Sequence, residues 1–177
     1  MRSGVTLLLD RDGTLVHNVP YNNDVTKLRL VEGVIEGLAG VRARGVRVGL
    51  VSNQSGVARG LTREKDVAEF NSALAEAVGG FDLILCCTHL EGCDCRKPAP
   101  GMLLRALHAL DADPDHAVMV GDIGSDVQAA KAAGIKSILV PQPETKAEEI
   151  ETAPVVRRTF VDAMAAVCAF CDTGRLL

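Results

Sequence analysis

The stretch Leu7-Leu8-Leu9-Asp10-Arg11-Asp12-Gly13-Thr14-Leu15 decides the fold. Three consecutive leucines bounded by a turn signal describe a short strand buried on both faces. The strand runs directly into two aspartates one residue apart. Alternate residues of an extended chain point the same way, so Asp10 and Asp12 can converge. Two carboxylates held that close repel unless a cation lies between them or they share a proton. A hard divalent ion such as Mg²⁺ suits such oxygen ligands. Gly13 permits the sharp turn behind them. Taken alone, D-x-D-G describes an acidic turn equally well, so the rest of the chain has to decide.

The remaining strands repeat the arrangement. Val46 to Val51 predicts a second strand, ending in Ser52-Asn53-Gln54-Ser55-Gly56. Phe81 to Cys86 predicts a third, and Ala117 to Val120 a fourth that ends in Gly121-Asp122-Ile123-Gly124-Ser125-Asp126. Ile135 to Val140 predicts a fifth. Between them lie helical patterns at Val34 to Arg44, from an N-cap at Thr62 to Val78, at Gly101 to Leu110, and at Val127 to Ala133. Thr159 to Cys171 reads as a closing helix, with strand character possible at its start. Strands alternating with helices imply a parallel sheet with right-handed crossovers, covered on both faces: a three-layer α/β/α, Rossmann-like architecture. No repeat or linker divides residues 1–177, so one domain is expected.

Composition agrees. The chain has 177 residues, 47% of them hydrophobic but only 3% aromatic, so its core must be aliphatic. A net charge of −4 provides no basic field for nucleic acid, and no apolar run is long enough to span a membrane. The N-terminus does not read as a signal peptide. A cytoplasmic, monomeric protein is expected. The six cysteines then call for an explanation other than disulfides. Cys87, His89, Cys93 and Cys95 form a C-x-H-x3-C-x-C pattern. Three thiols and one imidazole within nine residues can close a tetrahedral, structural Zn²⁺ site. Cys86 reads as a strand residue rather than a ligand, and Cys168 and Cys171 as helix packing. Arg96 and Lys97 follow at once and can reach a phosphate, Arg96 as a fork and Lys97 as a point charge. The polar segment from His17 to Leu28 follows the first strand at the sheet edge where ligands bind.

Four strand ends thus bring together carboxylates, a hydroxyl–amide pair and cations, the groups needed to move a phosphoryl group. Here the chain resembles the haloacid dehalogenase (HAD) superfamily of phosphatases, whose four motifs fall in order over roughly Leu7 to Val140. DRDGT, SNQSGVARG and C-x-H…C-x-C-RKP resemble its zinc-containing subgroup, which holds the heptose 1,7-bisphosphate 7-phosphatases and the histidinol phosphatases.

The resemblance implies a Mg²⁺-dependent phosphatase acting on a heptose bisphosphate at C7 through an aspartyl-phosphate, or on histidinol phosphate or another small sugar phosphate. Asp10 is then the nucleophile and Asp12 the acid–base. Asp10, the carbonyl of Asp12 and Asp122 hold Mg²⁺, with Asp126 supporting that site from behind. Ser52 and Lys97 bind the transferring phosphoryl group. Arg96, Asn18, Tyr21, Asn53, Gln54 and Arg59 contact the phosphorylated substrate. Asp12 must be protonated for the first step, so its pKa should be raised. Two features depart from the subgroup. Only three residues separate His89 from Cys93, so the zinc-stabilised loop should be compact. Ile123 stands where some relatives carry Lys. There is no room for a large cap domain, so the site should be open and suited to a small sugar or amino-alcohol phosphate. A non-catalytic module that binds a phosphometabolite is the alternative from another class.

Overall fold

The computed structural model describes residues 4–176. Five parallel strands form one sheet: β1 Thr6–Leu9, β2 Arg47–Asn53, β3 Leu83–Cys87, β4 Ala117–Gly121 and β5 Lys136–Leu139, in the order β3-β2-β1-β4-β5. Six helices connect or cover them: α1 Val34–Ala43, α2 Glu64–Val78, α3 Gly101–Ala109, α4 Gly124–Ala132, α5 Ala147–Thr152 and α6 Phe160–Thr173. Alternate strand residues feed two cores. Leu7 and Leu9 of β1 join Leu38, Phe70 and Met164 from α1, α2 and α6. Leu8, between them, joins Met102, Leu103 and Ala129 from α3 and α4 on the other face. The three layers follow from this two-residue period.

The strand order reverses at β1, which lies between β2 and β4; Leu9 pairs with Leu50 on one side and Val120 on the other. Crevices at such a switch point, outside the carboxyl ends of the strands, are where open α/β sheets bind ligands. Asp10 leaves β1 at that crevice, with its backbone N–H bonded to the Val120 carbonyl at 3.0 Å.

Several boundaries differ from the sequence expectation, each for a local reason. The α2 N-cap is Arg63 rather than Thr62, because Asp66 reaches back to the Arg63 N–H at 3.2 Å while the Thr62 hydroxyl accepts from Asn23 Nδ2 at 3.3 Å. Helix α4 begins three residues early, at Gly124, since Asp126 caps the Ile123 N–H at 3.3 Å. Strand β3 is shifted to Leu83–Cys87, so Cys87 ends the strand and Phe81 precedes it. Thr159 is an N-cap, accepting from the Asp162 N–H at 3.1 Å, and α6 has no strand at its start. The charged stretch after Pro141 contains the short helix α5. Among the described residues no helix is long and apolar enough to cross a membrane.

Candidate active site

Asp10 and Asp12 leave β1 on the same side, as their spacing requires. Lys97 enters from the loop after β3 and is 3% exposed. Its ammonium lies 2.7 Å from Asp10 Oδ1, 2.7 Å from Asp126 Oδ1 and 2.9 Å from the Val51 carbonyl. Two of these contacts, to Asp10 and Val51, are hydrogen bonds, and the third, to Asp126, is an ion pair. Burial disfavours the charge on Lys97, but the Asp10 and Asp126 carboxylates outweigh it and hold the ammonium protonated well beyond its ordinary range. Asn53, at the end of β2, grips the Lys97 backbone.

Asp122 arrives from the end of β4. Oxygens of Asp10, Asp122 and Asp126 lie within 4.8 Å of one another. Burial, with Asp10 and Asp126 as like-charged neighbours, pushes Asp122 up to about 8; burial also raises Asp126, to about 6, although Lys97 opposes it. Carboxylates so placed favour either protons or a cation, and two carboxylates with open positions suit Mg²⁺. Two glycines make the approach possible. A Cβ on Gly13, whose φ is +86°, would fall 2.2 Å from Asp122 Oδ2, and one on Gly121 would fall 2.2 Å from Asp126 Oδ2.

Asp12 is raised above the ordinary carboxylate range mainly by burial, assisted by Asp10 and opposed by Arg11. It lines a cavity of about 180 Å³ together with Asp10, Asn18, Asn53, Lys97, Asp122 and Asp126. Ile123, Ser125 and Glu144 complete the wall; Ile123 is expected to offer a metal its backbone carbonyl but the phosphate no cation, and Ser125 and Glu144 stand outside the expected site. Ser52 and Gln54 are buried, and Gln54 Nε2 donates to Asp12 Oδ2 at 2.8 Å and to Ser52 Oγ at 2.9 Å. Tyr21 and Arg59 are exposed and set off from the carboxylates; the Arg59 guanidinium sits 6.0 Å from the Tyr21 ring centre, and Tyr21 lines a neighbouring polar cleft of about 490 Å³. Arg96 is half-buried and rests on the His89 carbonyl at 3.4 Å.

Arg11 is the residue the sequence reading passed over. It is 1% exposed, and it contacts Asp12, Asn23, Asn71 and the face of Phe70. The signal was present: if Asp10 and Asp12 point to the crevice, the residue between them points the other way, and a cation there needs buried partners.

The second cluster fits a metal of different character. Donor atoms of Cys87, His89, Cys93 and Cys95 also lie within 4.8 Å of one another. Cys87 Sγ is 3.7 Å from both Cys93 Sγ and His89 Nδ1, and His89 Nδ1 is 3.4 Å from Cys95 Sγ. A tetrahedron built on Zn–S bonds of about 2.3 Å has edges of roughly 3.8 Å. The Cys87–Cys95 separation, 2.7 Å, is shorter than that edge. Burial pushes the Cys87 thiol up to about 12, whereas the Arg96 backbone N–H draws Cys93 down to about 7. Cys86 stands outside the cluster, accepting from Asn71 Nδ2 at 3.2 Å, and Cys168 and Cys171 pack against the core.

Comparison with known proteins places this geometry in a family. Residues 94–166 match the HAD-hydrolase-like family. A D-glycero-beta-D-manno-heptose-1,7-bisphosphate 7-phosphatase of Pasteurella multocida is 38% identical over 146 residues, covering 76% of this chain and 79% of the relative. A D-glycero-alpha-D-manno-heptose-1,7-bisphosphate 7-phosphatase of Campylobacter jejuni is 34% identical over 144 residues, covering 79% and 84%. The crystal structure of a D,D-heptose 1,7-bisphosphate phosphatase from B. bronchiseptica, complexed with magnesium and phosphate, superposes with a TM-score of 0.82 at 28% identity, covering 91% of this chain and 96% of that one.

Proposed function

This chain belongs to the HAD-like phosphatases that include the heptose-1,7-bisphosphate 7-phosphatases, and from that we propose that it hydrolyses D-glycero-D-manno-heptose 1,7-bisphosphate at C7. The observation that carries the reading is the convergence of Asp10, Asp12, Lys97 and Asp122 from two strand ends, those of β1 and β4, and one loop on a single cavity.

In this reading a free oxygen of Asp10 attacks phosphorus, its Oδ1 being tied to Lys97. The bond from phosphorus to the sugar oxygen breaks, and Asp12 gives that oxygen its proton. Water then attacks the aspartyl-phosphate, Asp12 takes up the water's proton, and phosphate leaves with Asp10 regenerated. Lys97 binds the transferring phosphoryl group through its charge, its ammonium being hydrogen-bonded to Asp10 and Val51 and paired with Asp126. The Ser52 hydroxyl accepts from Gln54 and so keeps its own hydrogen to offer the phosphoryl group. Asp10, the Asp12 carbonyl and Asp122 hold Mg²⁺, which when bound neutralises charge on the phosphoryl oxygens. Asn18, Tyr21, Asn53, Arg59 and Arg96 recognise the rest of the phosphorylated sugar.

Zn²⁺ on Cys87, His89, Cys93 and Cys95 gives the loop after β3 the fixed shape that its few apolar residues cannot. Reduced thiols there suit a cytoplasmic protein. Glu144 on the cavity wall favours a second reading, an amino-alcohol phosphate such as histidinol phosphate, whose ammonium it could pair.

A panel of phosphate esters tests both readings. The heptose bisphosphate should give the highest kcat/KM, and Asp10→Asn should lower kcat at least about 10³-fold. Full activity in Asp10→Asn would overturn the mechanism; a higher kcat/KM for histidinol phosphate would overturn the substrate.

A further inference from the structure

We infer that Arg11 and Gln54 are positioning residues that reserve one oxygen of Asp12 for proton transfer. The inference rests on the acid–base role given to Asp12 above. Two hydrogen bonds meet on Asp12 Oδ2, from Arg11 Nε at 3.1 Å and Gln54 Nε2 at 2.8 Å, and Arg11 Nη2 forms an ion-pair contact with the same oxygen at 3.0 Å. None of the described residues donates to Oδ1, and the Asp12 side chain, 27% exposed, lines the cavity that holds Asp10. A carboxyl oxygen surrounded by N–H groups has no room for a proton of its own. The transferable proton therefore resides on Oδ1. It moves from Oδ1 to the leaving alkoxide as the phosphorus–oxygen bond breaks. Oδ1 then accepts a proton from the water that attacks phosphorus, which restores the carboxyl group.

The clamp is itself held rigid. Arg11 Nη1 donates to Asn23 Oδ1 at 2.8 Å and to Asn71 Oδ1 at 3.0 Å, and its guanidinium lies 4.6 Å from the Phe70 ring centre. Asn23 Nδ2 in turn donates to Gln54 Oε1 at 3.4 Å, so Asn23 joins the two arms. A buried guanidinium is a poor means of stabilising a fold, because apolar residues of similar volume often serve as well or better. Here it is spent on orienting the carboxyl group that has to be aimed.

The test compares leaving groups. An alkoxide needs a proton to depart; p-nitrophenolate does not. Single-turnover formation of the aspartyl-phosphate is measured for wild type, Arg11→Met and Gln54→Met. One substrate is p-nitrophenyl phosphate, and the other is whichever alkyl phosphate the wild type turns over fastest. A misaimed general acid forfeits part of an effect of about 10²–10⁴. Each variant should lose about 10- to 100-fold on the alkyl ester and at least about 10-fold less on the aryl ester. Equal losses on both esters, or no loss on either, would overturn the inference. Where Arg11→Met does not fold, Gln54→Met, nearly equal in volume, decides alone by the same criterion. A wrong sugar assignment appears in the wild-type panel; a wrong clamp appears only in the variants' leaving-group ratio.

Discussion

Asn53 and Lys97 bind each other's amide groups in both directions: Asn53 Nδ2 donates to the Lys97 carbonyl at 3.0 Å, and the Lys97 N–H donates to Asn53 Oδ1 at 3.1 Å. The end of β2 thereby fixes the backbone from which the Lys97 ammonium reaches Asp10. Asn53→Leu removes both bonds and leaves a partly buried peptide unit without partners. It should cost about 2–4 kcal/mol of stability in denaturant titration and lower kcat roughly 10-fold or more. An unchanged kcat would show that Lys97 is placed without Asn53.

Gly13 is a position where an added methyl group meets Asp122, a proposed Mg²⁺ ligand, directly. Its φ of +86° strains any other residue, and its Cβ would lie 2.2 Å from Asp122 Oδ2. Gly13→Ala should destabilise the protein by about 1–3 kcal/mol. It should also weaken Mg²⁺ by 10-fold or more in an activity titration, because Asp122 must move. A Mg²⁺ requirement equal to wild type would contradict the placement of Asp122 at the ion.

The buried carboxylates make stability depend on both pH and Mg²⁺. Asp122 and Asp126 titrate near 8 and 6 in the folded, metal-free chain, above the ordinary 3.8. The folded state therefore binds protons that the unfolded state has released, and stability falls as pH rises from about 4 through 8. Cation binding relieves the same repulsion. In chelator, Tm should decline across that window. At pH 8, Mg²⁺ at about 100 times its Kd should restore about 5–10 °C. A Tm that rises with pH in chelator would refute the assignment.

Asp12 has to be protonated to act as acid, and burial raises it. For alkyl esters, the rate of aspartyl-phosphate formation should therefore fall as pH rises through a midpoint above the ordinary carboxylate value. For p-nitrophenyl phosphate that limb should flatten. A limb of equal depth for both esters would assign it to another group.

Zinc removal should act at a distance from the ligands. Lys97 stands two residues after Cys95, and Arg96 rests on the His89 carbonyl. Cys93→Ser should lower bound zinc from about one per chain to well below it by elemental analysis, and should lower Tm by several degrees. It should reduce kcat/KM by about 10–100-fold, a size seen for groups that orient a site. Full zinc content in Cys93→Ser would remove Cys93 from the ligand set.

The sheet and the strand-end chemistry were legible because they rest on short patterns. Leu7 to Leu9 can only be buried on both faces, and Asp10 and Asp12 can only share a side. The Cys87 to Cys95 spacing likewise needs no tertiary information, and its four donors do converge. The rest depended on partners remote in sequence. The Thr62 hydroxyl lost its capping role to Asn23, thirty-nine residues away. Arg11 took its meaning from Asn71, sixty residues away, and Glu144 from a loop that folds back over β4.

Asp10 and Asp122 directly follow β1 and β4, whose registers are locked by neighbouring strands, whereas Asn18, Tyr21 and the turn from His89 to Cys95 lie in connections outside the sheet. The segment after β1 even closes on itself, with His17 bonded to Arg29 and Val31 to Leu15. Under the proposed function, the excursion after β1 is therefore free to vary without moving the carboxylates. Exchanging that excursion for a relative's would then give the lineage a way to change which phosphate ester it accepts while Asp10, Asp122 and Lys97 stay where they are.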